Sequence, residues 1–233
     1  QPTVWVKWGE ALAINAGDAM LTVSHLSLMR LNKNYDTSTN LKAVQILQEA
    51  CLNLTRGQFL DISFENEPNL PIELYWQMIE GKTSSLLSAC LELGTLLGGG
   101  NSSQQKTMAG FGSQVGLAFQ VQDDYLGIWG DAAETGKSAT SDLETRKKTY
   151  PVLLGIERKS QFSREWQTLN KIDVEQATHL AVQLKTEGVD TETIEKFREL
   201  YDLAFSMLSK ANLDAKFSGI LKSTVENLFG RIH

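Results

Sequence analysis

Apolar residues recur every three to four positions over long stretches of this chain, the spacing of one helix face. From Glu10 to Leu31 the pattern runs through Leu12, Ile14, Met20, Val23, Leu26, Leu28 and Leu31. A turn is expected over 32–40, then a helix over 41–64 with Val44, Leu47, Ala50, Cys51, Leu54 and Phe59 on its period. Prolines at 68 and 71 break the chain, and Pro71 suits the first position of a helix over 72–97. Gly98, Gly99, Gly100 and Asn101 end that helix, and Ser102 or Ser103 is expected to cap the next, which reaches Trp129. Further on, 152–159, 173–187, 191–210 and 213–231 read as helices, with Asp173 and Asp190 or Thr191 as caps and Gly188 as a stop. No strand pattern of any length appears. The reading is an all-α fold in a single domain over 1–233.

Composition narrows this further. The 233 residues suffice for one substantial core, and 42% hydrophobic with 21% charged residues suits a globular chain. A formal net charge of −6 argues against a nucleic-acid surface. No apolar run has membrane length and no secretory pattern opens the chain, so a cytoplasmic protein without stable membrane insertion is expected. Cys51 and Cys90 lie inside helical apolar patterns and are expected as small core residues rather than a disulfide. The three histidines are scattered, with no Cys/His metal spacing.

Candidate chemistry concentrates between Phe119 and Pro151. At 3.6 residues per turn Gln120, Asp123 and Asp124 share a face of a helix that is apolar on most of its circumference. Adjacent carboxylates there lose hydration, repel each other and oppose the helix dipole, so they call for a cation. Mg²⁺ suits them, because it takes oxygen ligands and is commonly held by one or two carboxylates plus substrate phosphates. A bare acid pair is more often a solvated stripe. The lysines that follow, Lys137 in a Gly-rich loop and Lys147 and Lys148 before Thr149-Tyr150-Pro151, tip the balance toward a polyanion site. The loop is not a phosphate-binding Walker loop, since Gly130 falls one residue too far upstream and no strand precedes it. Upstream, Gln58 and Asp61 are three apart and can point together into a cavity. Asn15 and Gly17 are costly inside a helix, so close packing or a polar role is expected there, and a structural hydrogen bond for Asp18.

The run FQxxDD, GD, TGK, DL and KKTYP, with its spacing, resembles the trans-isoprenyl diphosphate synthases, or polyprenyl synthetases. PTVW at 2–5, NAGDAM at 15–20, GQxxD at 57–61 and Lys82-Thr83 resemble them too. The resemblance implies an isoprenoid-synthase-like helical bundle around a central cavity, and head-to-tail elongation of an allylic diphosphate with isopentenyl diphosphate to a short-chain product such as farnesyl or geranylgeranyl diphosphate. It implies Mg²⁺ on Asp123 and Asp124, and diphosphate on Lys82, Lys137 and Lys147. Thr83 and Gln120 would position substrate, with Phe119, Gln58 and Asp61 also at the binding site; Asp142 and Lys148 are weaker candidates. A homodimer is the family expectation.

Two departures qualify the match. The family's DDxxD motif has Gly127 in place of its third acid. Its earlier acid motif and first helices precede the PTVW element, and this chain starts there, so the match covers about the C-terminal two-thirds of a member. A fragment is expected, inactive alone. A non-catalytic regulatory subunit of a prenyl diphosphate synthase is the alternative in another class. A class I terpene cyclase ranks lower, because it usually lacks the TGK and KKTYP lysines.

Overall fold

The computed structural model describes residues 2–65, 67, 70–131 and 139–230, and these form helices joined by short turns, with no strand among them. In chain order the α-helices are α1 (Val4–Trp8), α2 (Glu10–Met29), α3 (Thr37–Phe64), α4 (Ile72–Ile79), α5 (Ser85–Leu97), α6 (Ser102–Trp129), α7 (Ser141–Glu144), α8 (Tyr150–Glu157), α9 (Gln161–Thr168), α10 (Val174–Thr186), α11 (Val189–Lys210) and α12 (Ala215–Phe229). Helix α6 is the axis: it packs along α5 and α11, while α7, α8 and α12 also touch it. Its buried positions include Met108, Phe111, Val115, Ala118, Val121 and Ile128, a repeat of three to four residues that feeds one continuous core.

Side-chain caps decide where several helices begin. Asn101 accepts the Gln104 backbone N–H and Gln104 Oε1 accepts that of Asn101, both at 3.0 Å, so α6 is capped one residue before the serines expected for that role. Asp173 and Gln176 form the same reciprocal pair at α10. Asp36 accepts the Thr39 N–H at 2.8 Å and starts α3 four residues earlier than apolar periodicity indicates. Gly188, at φ +77°, ends α10 and also opens α11, so neither Asp190 nor Thr191 is the cap. Pro71 is the N-cap of α4 and not its first residue.

The segment expected as one helix over 72–97 is divided by a π-helical turn, Glu80–Ser84. Turns of this kind recur at functional sites. Glycines bring it into backbone contact with its neighbours: a Cβ on Gly57 would lie 2.1 Å from the Lys82 backbone nitrogen, and one on Gly116 would lie 2.6 Å from the Ser84 Cα. The first contact sets α3 against the turn, the second α6.

Other expectations are corrected. Cys90 is exposed and Cys51 half-buried, both as free thiols; the buried neighbour of Cys90 is Ala89. Phe59 is 68% exposed, so the apolar period of α3 is not wholly a core face. Asp18 is exposed, and the side-chain bond at this position is the one that Thr22 Oγ1 donates to its backbone carbonyl; a Cβ added to Gly17 would meet none of the described residues outside its own helix turn within 4 Å. Helices α7, of four residues, and α9, of eight, were not among the expected helices.

Candidate active site

The end of α6, the π turn, the end of α3 and the start of α8 converge on a cavity of about 580 Å³, whose lining includes Asp61, Lys82, Gln120, Asp124, Lys147 and Lys148. Asp124 is 1% exposed and is the hub. Its Oδ2 accepts the Tyr75 hydroxyl at 2.7 Å and the Tyr150 backbone N–H at 2.9 Å; its Oδ1 accepts Gln120 Nε2 at 3.0 Å. Tyr150 is the first residue of α8, so the carboxylate sits at the positive end of that helix. Gln120 in turn accepts the Thr83 hydroxyl at 2.7 Å. One buried carboxylate therefore fixes groups from α4, α6 and α8 and, through Gln120, the π turn.

Two of the cations, Lys82 and Lys147, are held by acids. Lys147 Nζ lies 3.7 Å from Asp142 Oδ2 and 4.0 Å from Asp124 Oδ1. Burial alone would lower the pKa of Lys147, but Asp124, Asp142, Asp123 and Asp61 together outweigh it and hold the ammonium above its ordinary value. Burial pushes the Asp124 carboxyl up to about 6, against Lys147, the Tyr150 N–H, Gln120 and Tyr75, which all favour its charged form. The same burial, with Asp124 beside it, raises Tyr75. Lys82, carried on the π turn, bonds Asp61 Oδ2 at 2.5 Å. Lys148 donates to the Phe64 and Glu65 carbonyls at 2.7 Å each, a cation at the negative end of α3. Thr149 also lines the cavity, and its buried hydroxyl has no partner among the described residues.

Of the residues expected from sequence, Lys82, Gln120, Asp124, Lys147 and Asp61 meet here, with Thr83 joined through Gln120. Asp123, expected beside Asp124, is exposed and does not line the cavity, though its charge is felt at Lys147 and Tyr75. Phe119 packs against the core and does not line the cavity. Gln58 is exposed on α3, one residue after the glycine contact, and does not join Asp61 in the lining. Lys137 lies outside the described residues. Tyr75 and Thr149 escaped sequence reading; the one available signal for Tyr75 is a tyrosine between Leu74 and Trp76 on a helix entering the core, where its hydroxyl needs a partner.

The donor set is all oxygen, which suits a hard divalent cation and not a soft one. Among the described residues no three acids are grouped as a protein-only cage. Asp123 has an open carboxylate, while both Asp124 oxygens already accept hydrogen bonds. The residues therefore fit Mg²⁺ in the manner in which carboxylates share it with substrate phosphates.

The polyprenyl synthetase family profile matches residues 1–185, so the chain belongs to that family. It is 43% identical over 152 residues to the (2E,6E)-farnesyl diphosphate synthase of Mycobacterium tuberculosis, covering 65% of this chain and 41% of that protein. It is 37% identical over 188 residues to a geranylgeranyl diphosphate synthase of the same organism, covering 77% and 53%. The polyprenyl synthetase crystal structure from Streptomyces coelicolor superposes with a TM-score of 0.86 at 28% identity, over 98% of this chain and 69% of that one. A geranylgeranyl pyrophosphate synthetase from Pyrococcus horikoshii gives 0.88 at 26% identity, over 98% and 69%. The chain thus spans about two fifths to one half of the curated relatives' length. No described helix is long and apolar enough to cross a membrane.

Proposed function

We propose that this chain carries the diphosphate-binding half of a head-to-tail prenyltransferase, which elongates an allylic diphosphate with isopentenyl diphosphate to a short-chain product. The observation that carries the reading is the Asp124 hub, which sets Gln120 and Lys147 on the same cavity as Lys82. In this reading the two lysines bind the diphosphate of the allylic substrate, each exchanging part of its contact with an acid for phosphate oxygens. Their charge opposes the negative charge that builds on pyrophosphate as the allylic carbon–oxygen bond breaks. The isopentenyl double bond then attacks the allylic cation, and the new cation loses a proton to the departing pyrophosphate. Gln120 and Thr83, linked to each other, orient the substrate beside the lysines. Asp123 and, behind it, Asp124 would hold Mg²⁺, which when bound supplies further positive charge at the leaving group.

The test is incorporation of labelled isopentenyl diphosphate by the full-length protein, together with calorimetric binding of inorganic pyrophosphate in Mg²⁺. Asp123→Ala and Lys147→Ala are expected to lower the rate by orders of magnitude, on the scale of lost leaving-group stabilisation. A protein that binds no pyrophosphate, or an Asp123→Ala variant with a near-normal rate, would overturn the reading. Adding isopentenyl diphosphate also separates this reaction from cyclisation: elongated product appears only in the first.

A further inference from the structure

We propose that Arg146 is a positioning residue of this site: it anchors the turn that carries Lys147 to the end of α9, and so sets that ammonium where the diphosphate binds. The inference rests on the reading of the cavity given above. In the turn after α7, the Arg146 N–H donates to the Leu143 carbonyl at 3.0 Å and the Lys147 N–H to the Asp142 carbonyl at 2.8 Å. This pair of bonds is the Schellman ending of a helix, which places one residue in the left-handed region. Arg146 is that residue, at φ +55°. Glycine fits there without strain, whereas a residue with a Cβ is crowded against its own backbone. An arginine held in that conformation points to a role for its side chain.

The side chain is held by both arms of its fork. Nη1 donates to the Leu169 carbonyl, and Nη2 to the Trp166 carbonyl at 3.1 Å. These carbonyls close α9, where the last turn leaves acceptors unpaired and favours a cation. The guanidinium also lies over the Trp166 ring, 4.5 Å from its centroid. Trp166 is buried and stacks on Phe162 with centroids 5.6 Å apart, so the anchor is rooted in the core. Only Lys147, Lys148 and Thr149 separate Arg146 from the start of α8. There the chain is pinned again, by the Tyr150 N–H on Asp124. Between the two fixed points Lys147 Nζ comes to 3.7 Å from Asp142 Oδ2 and 4.0 Å from Asp124 Oδ1. Both Arg146 and Lys147 line the cavity. With its guanidinium committed to α9, Arg146 acts on the diphosphate through Lys147 and not by contact. Two plainer accounts make different predictions. Direct contact with the diphosphate would leave Lys147 undisturbed when Arg146 is changed. A purely structural cap would loosen the whole molecule and not one lysine.

The experiment is pulse acetylation of the full-length protein without ligand, read by mass spectrometry at Lys147 against Lys82, together with calorimetric binding of inorganic pyrophosphate in Mg²⁺. In Arg146→Gly the backbone keeps its left-handed turn and only the anchor is lost, so the unfolding temperature is expected to stay within about 4 °C of the parent. Lys147 is expected to react at least about threefold faster, with Lys82 unchanged. Pyrophosphate is expected to bind about tenfold more weakly. Arg146→Lys keeps the charge but has no fork for two carbonyls. It gives a smaller change in the same direction, and it carries the test if Arg146→Gly does not fold. The proposal is overturned if Lys147 reacts at the parent rate in these variants, if Lys82 and Lys147 speed up alike, or if pyrophosphate affinity is unchanged. A parent that binds no pyrophosphate fails the reading above, and this proposal with it. A parent that binds it while Arg146→Gly binds equally well removes Arg146 alone.

Discussion

Helices α2 and α6 are both long and rich in apolar residues, yet α6 buries eleven of its 28 residues and α2 buries none of its 20. Met20 is 75% exposed, Ile14 67% and Val23 60%. Helix α6 is met along its length by α5 and α11, whereas α2 touches α1, the 3₁₀ turn after it and α3. Periodicity states what a helix needs and not whether a partner is there to supply it. The difference extends to polar groups. On α6 the buried Asp124 is surrounded by four donors and held in a network, while on α2 Asp18 faces solvent with its side chain. Burial makes the Asp124 carboxylate an organising element, whereas the Asp18 side chain is left in solvent.

The strongest way to break this contrast is to remove the hub. Asp124→Ala strips the partner from Tyr75, the Tyr150 N–H and Gln120 at once and removes one of the two acids within 4.0 Å of the Lys147 ammonium. A loss on the order of 3–5 kcal/mol is expected in denaturant unfolding, as for one member of a buried charged pair. A loss below about 1 kcal/mol would show the network to be dispensable.

The next effect is a pH slope in the metal-free protein. The Asp124 carboxyl is raised from 3.8 to about 6. Between those values the native chain binds more protons than the unfolded one, so stability falls as pH rises through the window. The contribution is complete below about pH 4 and lost above about pH 6, on the order of 3 kcal/mol. Because other acids titrate in the same range, the readout is the difference between the parent and Asp124→Asn from pH 4 to 7. A difference that is flat, or that grows in the opposite direction, contradicts the burial argument.

A smaller effect comes from the contact that seats α3. Gly57→Ala drives a methyl into the Lys82 backbone and is expected to destabilise by about 1–3 kcal/mol, with weaker pyrophosphate binding as Lys82 and Asp61 separate. Unchanged stability would mean that α3 and the π turn are not packed as described. The smallest effect belongs to α2: Met20→Ser should stay within about 0.5 kcal/mol. A loss above about 2 kcal/mol in the full-length protein would instead sharpen the comparison, by showing that this face is covered there.

Much of the site was legible because it is local. Gln120, Asp123 and Asp124 are close in sequence, and helix geometry alone puts them together. Lys147 and Lys148 follow on one short segment. Asp173 announced its cap by standing three residues before Gln176. The parts that were not legible join distant segments. Tyr75 reaches Asp124 across 49 positions, and nothing near Tyr75 marks it as the partner of an acid. The π turn arises inside a pattern that reads as one unbroken helix. Gln58 and Asp61 share a spacing, but only Asp61 meets Lys82, while Gln58 is exposed. Cys90 and Phe59 sit on apolar periods whose faces the fold leaves outward.

By itself the sequence determined that this chain is helical, where its main helices run, and that acids and lysines gather around the end of α6. Those properties follow from intervals of three and four residues, from caps and from glycines, all of which act within a few turns. Only the tertiary structure decided that Asp124 is the buried hub while Asp123 stays exposed, and that the Asp142 carboxylate fills the space over Gly127. Neighbours on one helix differ in burial according to which other helices arrive beside them. That arrival is a property of packing across the whole chain, and no interval along it encodes it.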